Sequence, residues 1–486
     1  MLQNNIYDEG DDKDYTAASG KMRLPNSNES KWLYPFQWLW DTFFICAWNP
    51  NTAQSLFDAT KFLEAQAPNG FCGHIRYNRE ALLKNEYFPP ANIYYLNGLP
   101  AIGEITSKIT QPPNIAYGLL ELAKKIAHNG GDLFPLRSLF QKAYKYHEYI
   151  YNNRIIDGCM VTIHPWESGD DNSPKWDIIY QKLEKYILSI GNLEHIIIGW
   201  LESIGLTYDR VDLKIIKPTQ RPTDPHYYAY LFLIYLYGQW NWKEETILKE
   251  SPFRVLDPMT NGILLRSNMS LLELYHLLEI SDHEKLNKIN YWISTTKQGL
   301  INLWSKEHKM YLTKDLTDDT VIEVETVSGF TPLFSCGINK EHADAMAEKI
   351  ILQIKENETK YFIPSTPIKE TNYFEENRYW RGPVWVITNE LIAEGLDYYG
   401  YKELSDFIRT NSLDLVLNSL DERGGFYEYY NPITGAGLGS ASQSWTAAAV
   451  LSAIEKINRT IVSDARYSNA ANIGFVGRFG ELESKL

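Results

Sequence analysis

Apolar residues recur at helical spacing through most of this chain. In QPPNIAYGLLELAKKIAH, residues 111–128, Ile115, Leu119, Leu122 and Ile126 fall on one face of a helix. Pro112 and Pro113 stand at its start, where a missing N–H does little harm. In RGPVWVITNELIAEGLDYYG, residues 381–400, Val384, Ile387 and Leu391 repeat the pattern, with Pro383 opening the helix and Gly400 closing it. Val450, Ile454 and Ile457 do the same after Trp445. Residues 227–238, YYAYLFLIYLYG, are apolar all round, as expected of a helix buried on both sides. Long alternating strand patterns are missing, and short extended pieces such as GILL at 262–265 do not build a sheet protein. Amphipathic and wholly apolar helices in one chain suit two concentric rings of helices. No strict repeat occurs, which argues against a solenoid with a fixed motif.

Residues 1–20, acidic and polar, and 461–486, without a clear period, read as tails. Between 21 and 460 no linker and no abrupt change in composition appears, so one domain is expected there. The apolar fraction, 44%, suffices for a large core. A net charge of −14 argues against nucleic acid or an anionic membrane as the main partner, because both need a basic face. Cys46, Cys72, Cys159 and Cys336 are scattered, with neither zinc-ligand spacing nor a disulfide framework. The N-terminus lacks the basic and apolar regions of a signal peptide, and no apolar run reaches membrane-span length. These features predict a cytoplasmic protein. Aromatic residues are abundant, with 14 Trp, 33 Tyr and 19 Phe, which fits either an aromatic core or a cleft that stacks on sugar rings.

Four segments combine aromatic residues, carboxylates, Gly and Pro more densely than a core needs: YPFQWLWDTFF (34–44), HPWESGDDNSPKWD (164–177), YWRGPVW (379–385) and GGFYEYYNPITGAGLGSASQSWTAA (424–448). Each joins turn residues to a helix start, which predicts loops at one end of the barrel. Asp170 and Asp171 are adjacent and flanked by Trp166 and Trp176. A carboxyl beside apolar rings has its charged form disfavoured, which suits a general acid at neutral pH. Glu428, between Tyr427 and Tyr429 and just after Gly424 and Gly425, suits a general base held by tyrosines. Inverting glycoside hydrolysis needs such a carboxyl pair, roughly 6.5–9.5 Å apart, with water between. As a structural alternative, the same residues make turns and helix caps.

In this order these segments resemble glycoside hydrolase family 63 and the related family 37 trehalases, over about residues 30–455. The closest likeness is to the short, single-barrel branch acting on mannosylglycerate and glucosylglycerate. It is carried by Tyr34, the run Gln37 to Asp41, Gln111-Pro112-Pro113, His164 to Trp176, Arg221 to Asp224 with Tyr227, Tyr379 to Pro383, Tyr427-Glu428-Tyr429, and Gln443 with Trp445. The resemblance implies an all-α (α/α)6 toroidal barrel and an inverting α-glycosidase with Asp171 as acid and Glu428 as base. It implies no metal and no organic cofactor. Trp38, Trp40, Asp41, Gln111, Trp380 and Arg381 match positions expected around the cleaved sugar. Tyr34, Arg221, Tyr227, Tyr379 and Gln443 match the aglycone side, and Trp176 and Trp445 are expected to contact substrate as well. Arg221, with a planar fork suited to carboxylates, would bind a glycerate, oriented by Asp224. Glu167 is expected to brace its loop, His164 to be a structural hydrogen-bond partner, and Asp177 to cap or pair. Residues 70–90 are a candidate lid. Competing readings are a family 63-type glucosidase on a neutral disaccharide such as trehalose or kojibiose, a sugar epimerase relying on paired histidines, and a non-catalytic sugar-binding protein.

Overall fold

Six elements close into a ring at the centre of the molecule. The computed structural model describes residues 2–9, 12–23, 29–83, 87–95, 98–188, 191–356, 359–370, 372–423 and 425–467. In chain order the ring consists of helices Leu39–Trp48, Ile115–His128 and Pro258–Leu277, the 3₁₀ turn Thr331–Ser335, and helices Val386–Tyr398 and Ser444–Tyr467. Each packs on the next, and the last packs back on the first. Burial all round follows from their composition. Every residue of Leu39–Trp48 is buried, and so is Val386–Leu396.

Outside the ring lie helices Thr52–Glu64, Phe134–Asn153, His283–Ile301, Lys340–Glu356 and Lys402–Arg423. Each follows an inner element in the chain. They are amphipathic: in His283–Ile301 the buried residues are Ile289, Trp292, Thr296, Gly299 and Leu300, a single stripe at helical spacing. This is the (α/α)6 barrel that the family resemblance implied. The 115–128 helix forms as expected, with Ile115, Leu119 and Leu122 buried. The 227–238 run lies in helix Asp224–Gln239, mostly buried and packed against helices Asp177–Leu188 and Leu193–Ser203.

Four local expectations fail. GILL 262–265 is the middle of the inner helix Pro258–Leu277; a short apolar run has no period of its own to separate strand from buried helix. Val384 precedes its helix and bridges Tyr430 and Pro364. Ile454 is 43% exposed, because Ala448, Ala449, Ser452 and Ala453 face the ring instead. The N-terminal stretch is no loose tail: Tyr7 and Tyr15 are fully buried and Thr16 bonds Asp58 of helix Thr52–Glu64. Of the C-terminal stretch, helix Ser444–Tyr467 covers the first part, and 468–486 lie outside the described residues.

Candidate active site

The inner helices begin at one end of the ring, and the motif segments gather there. A cavity with about 740 Å³ between its walls, part of it open to solvent, is lined by residues just before or inside the first turns of four inner helices: Trp38, Trp40 and Asp41; Gln111; Tyr379; Gln443 and Trp445. The segment between Arg154 and Asp257 folds over this end and contributes Trp166, Asp171, Arg221 and Tyr227. Tyr34 and Glu428 complete the expected set, so twelve of the fifteen residues singled out from sequence share one wall.

Asp171 and Glu428 both face this cavity. Burial pushes the Asp171 carboxyl up to about 7 against the opposing pull of Arg221, with Asp170 and Glu428 adding to the rise. Glu428 is also raised by burial, but Arg221, the Ser440 N–H, Tyr34 and Tyr379 favour its charged form. Its Oε1 accepts from the Tyr34 hydroxyl at 3.2 Å and its Oε2 from the Ser440 N–H at 3.1 Å, with Arg221 Nη1 at 3.6 Å. Among the described residues, one carboxyl is therefore left without a charge-stabilising side-chain hydrogen bond while the other is held by three groups. Such asymmetry separates a proton donor from a proton acceptor.

The neighbouring aspartates divide cleanly. Asp170 points away from the cavity into a buried cluster with Lys175 at 2.7 Å and Ser328 at 2.5 Å, where Lys175 also meets Asp257 at 2.6 Å. The Asp171 main-chain carbonyl accepts from both Tyr180 and Tyr230 hydroxyls, each at 2.9 Å. Gly169, at φ +83°, turns the chain into Asp171, and a Cβ there would stand 2.5 Å from the Trp40 ring. Only glycine meets both demands.

Trp176, Trp380 and Arg381 do not line the cavity; all three brace the loop that carries Asp171. Trp176 is fully buried and its indole N–H donates to the Asp170 carbonyl. The Trp380 main-chain N–H donates to Asn172 Oδ1, and its ring stacks on Trp385 at 3.8 Å. Arg381 binds Asp177 through two hydrogen bonds, at 2.8 and 2.7 Å, and faces a separate groove. Sequence spacing brings these residues near Asp171 but cannot say which side of the loop they touch.

The secondary assignments mostly hold. Glu167 is a brace: its carboxylate binds Arg154 and the N–H groups of Thr110 and Ile163. His164 is fully buried, accepting from the Trp166 N–H and donating to the Tyr230 carbonyl. Asp224 does not orient Arg221; it pairs with Arg210 and Tyr208. Asp212 does so instead, its Oδ2 receiving Arg221 Nε at 3.1 Å and Arg210 Nη2 at 2.6 Å. Arg221 is buried, 4.4 Å above the Tyr379 ring. Sequence reasoning also left out the wall residues His74, Ile75, Tyr77, Tyr87, Pro89 and Tyr94. Five of them belong to the 70–90 stretch, which lines the site; residues 84–86 of it lie outside the described residues. Among the described residues no group of three or more His, Cys, Asp or Glu side chains is arranged to hold a metal. The cavity wall has a single histidine, His74, so the paired histidines of an epimerase are not found there.

The family model for the mannosylglycerate hydrolase MGH1-like glycoside hydrolase domain matches residues 34–446. The chain belongs to this family. It is a glycoside hydrolase. A mannosylglycerate hydrolase of Thermus thermophilus is 34% identical over 425 residues, 86% of this chain and 94% of the relative. A glucosylglycerate hydrolase of Mycolicibacterium hassiacum is 27% identical, over 86% of this chain and 92% of that protein. The crystal structure of the family 63 mannosylglycerate hydrolase from Thermus thermophilus, in complex with Tris and D-glycerate, matches with a TM-score of 0.76 and 31% identity. It covers 93% of this chain and 97% of that one. A neutral trehalase from Saccharomyces cerevisiae, with a TM-score of 0.53 and 14% identity, shares the fold.

Proposed function

We propose that this glycoside hydrolase cleaves an α-glycosyl glycerate, mannosylglycerate before glucosylglycerate, with inversion. Asp171 is the general acid and Glu428 the general base. The observation that carries the reading is the pair itself: two carboxyls from distant parts of the chain facing one cavity, one biased to keep its proton and one held for its charge. Asp171 protonates the glycosidic oxygen as the bond breaks. Glu428 takes a proton from the water that attacks the opposite face of the ring. Trp38, Trp40 and Trp445 offer faces for the sugar. Gln443 Oε1 and Trp445 Nε1 are buried without a hydrogen-bond partner among the described residues, which suits them to sugar hydroxyls. Arg221 supplies the cation for a glycerate carboxylate, with Tyr34, Tyr227 and Tyr379 beside it.

The order of sugars follows the relatives: the mannosylglycerate hydrolases match at 30–34% identity and the glucosylglycerate hydrolase at 27%. We assign the reaction to the cytoplasm, since the four cysteines are buried and unpaired, as in a reducing compartment. No helix of the described residues is long and apolar enough to cross a membrane.

The test is a hydrolysis panel of mannosylglycerate, glucosylglycerate, trehalose and kojibiose, followed by proton NMR of the released hexose. The β anomer is expected first, from a glycerate substrate. Prompt release of the α anomer sinks the carboxyl assignment, and preference for a neutral disaccharide sinks the glycerate. Asp171→Asn is expected to lower kcat by about 10²–10⁴-fold with the fold intact.

A further inference from the structure

We infer that residues 5–9 and 12–20, which lie ahead of the family match at 34–446, form a positioning strap for the active site. They hold Tyr34 and the 442–444 turn in place across the seam where the last inner helix meets the first. The inference rests on the assignment of Glu428 as base.

Asn5 is fully buried. Its side-chain amide donates to the Ser442 carbonyl at 3.0 Å and to Ser444 Oγ at 2.8 Å, while its Oδ1 accepts from Ser442 Oγ at 3.0 Å. Ser444 in turn bonds the Ala17 and Ala18 carbonyls through its Oγ and N–H. Gly20 N–H donates to the Ser442 carbonyl, and a Cβ on Gly20 would stand 2.2 Å from Asn5 Oδ1 and 2.6 Å from Ser442 Oγ. The strap and the turn are thus stitched from both sides.

Between these stitches sits Ser19. It forms an antiparallel bridge with Gln443, and it exchanges hydrogen bonds with Tyr34: its N–H donates to the Tyr34 carbonyl, and its Oγ accepts from the Tyr34 N–H at 3.1 Å. Ala18 itself lines the cavity. One strap residue therefore fixes the main chain of two cavity residues. Tyr34 carries the hydroxyl that bonds Glu428, and Gln443 carries an oxygen with no hydrogen-bond partner among the described residues. A loosened strap draws Tyr34 from Glu428 and widens the wall at Gln443. The remaining groups around Glu428 are Arg221, Tyr379, Asp171, Asp41 and the Ser440 N–H. Arg221, Tyr379 and the Ser440 N–H still favour the charged form, but with the Tyr34 hydrogen bond lost the base becomes harder to ionise.

Asn5→Ala and Gly20→Ala in the full chain test this, on the fastest substrate of the panel and well below the melting temperature. Ile350→Ala, in the outer helix Lys340–Glu356, is a control for lost stability alone. Strap variants are expected to lower kcat/KM by about tenfold, as small misplacements at an active site do, and to move the acid limb of the pH profile upward. The control is expected to melt earlier with unchanged kinetics and pH profile. If either strap variant fails to fold, Ser19→Ala, which removes one hydroxyl, carries the same expectation. Strap variants with unchanged kinetics and pH profile, beside an inactive Glu428→Gln, overturn the strap alone. An active Glu428→Gln overturns the base assignment on which it rests.

Discussion

Asp171 and Arg221 decide the chemistry through their surroundings more than through their identities. With its carboxyl pushed to about 7 by burial, Asp171 is protonated below that pH and loses the proton above it. Activity is therefore expected to fall as pH rises through about 7, and a kcat/KM profile measured from pH 5 to 9 checks this. A basic limb unchanged in Asp171→Glu and near that of a solvated carboxyl would contradict it. Arg221 stands 3.6 Å from Glu428 and lines the same cavity, where the proposed reading has it meet the glycerate carboxylate. Arg221→Ala should thus lower kcat on every substrate, since the base loses its cation. KM should rise about tenfold or more only for glycerate substrates, in line with the loss of a charge-assisted hydrogen bond. Equal KM changes on a neutral α-glucoside would remove the carboxylate role. The residue types of this site were legible in the sequence because Asp, Glu, Arg and Trp clustered beyond the needs of a core. The choice of Asp171 over Asp170 was not settled by chemistry alone, since neighbours in a chain can face opposite ways, and only the Lys175 cluster shows which one is withdrawn.

At the scale of elements, the acid loop is a short turn braced at both ends. Trp380 holds Asn172, Arg381 holds Asp177, and Tyr180 and Tyr230 hold the Asp171 carbonyl. Gly169 sets its start. Gly169→Ala should cost about 1–3 kcal/mol through the positive φ and the clash with Trp40. Its kcat should fall more than its melting temperature explains, because the same turn aims Asp171. Circular dichroism melts beside single-turnover rates check this; a purely thermal defect would count against the aiming role. Helix positions were read from their periodicity or from long, wholly apolar runs. The reading failed for GILL 262–265, four apolar residues buried on every side and too few to show a period.

For the whole molecule, stability is expected to grade from the ring outward. Helix Pro258–Leu277 is wrapped by neighbours, whereas Lys340–Glu356 shows one face to solvent. Amide hydrogen exchange should be slowest in the inner helices Leu39–Trp48 and Pro258–Leu277 and faster by orders of magnitude in Lys340–Glu356. Uniform exchange across both layers would mean that the barrel opens as one unit. The closed ring also explains the site's location. Inner helices that start at one end bring their N-terminal turns together, and the connecting segments, free of the packing that fixes the helices, supply the functional groups.

The sequence by itself determined the helical class, the single large domain, the segments that form the site and the kinds of chemistry they carry. These depend on local pattern and residue type, which a chain states directly. Tertiary structure decided which side of each loop faces the cavity. It turned Trp176, Trp380 and Arg381 into braces, gave Asp212 the task expected of Asp224, and drew Ala18 of the N-terminal stretch into the wall. Those outcomes depend on contacts between residues far apart along the chain, and spacing within a motif holds no record of them.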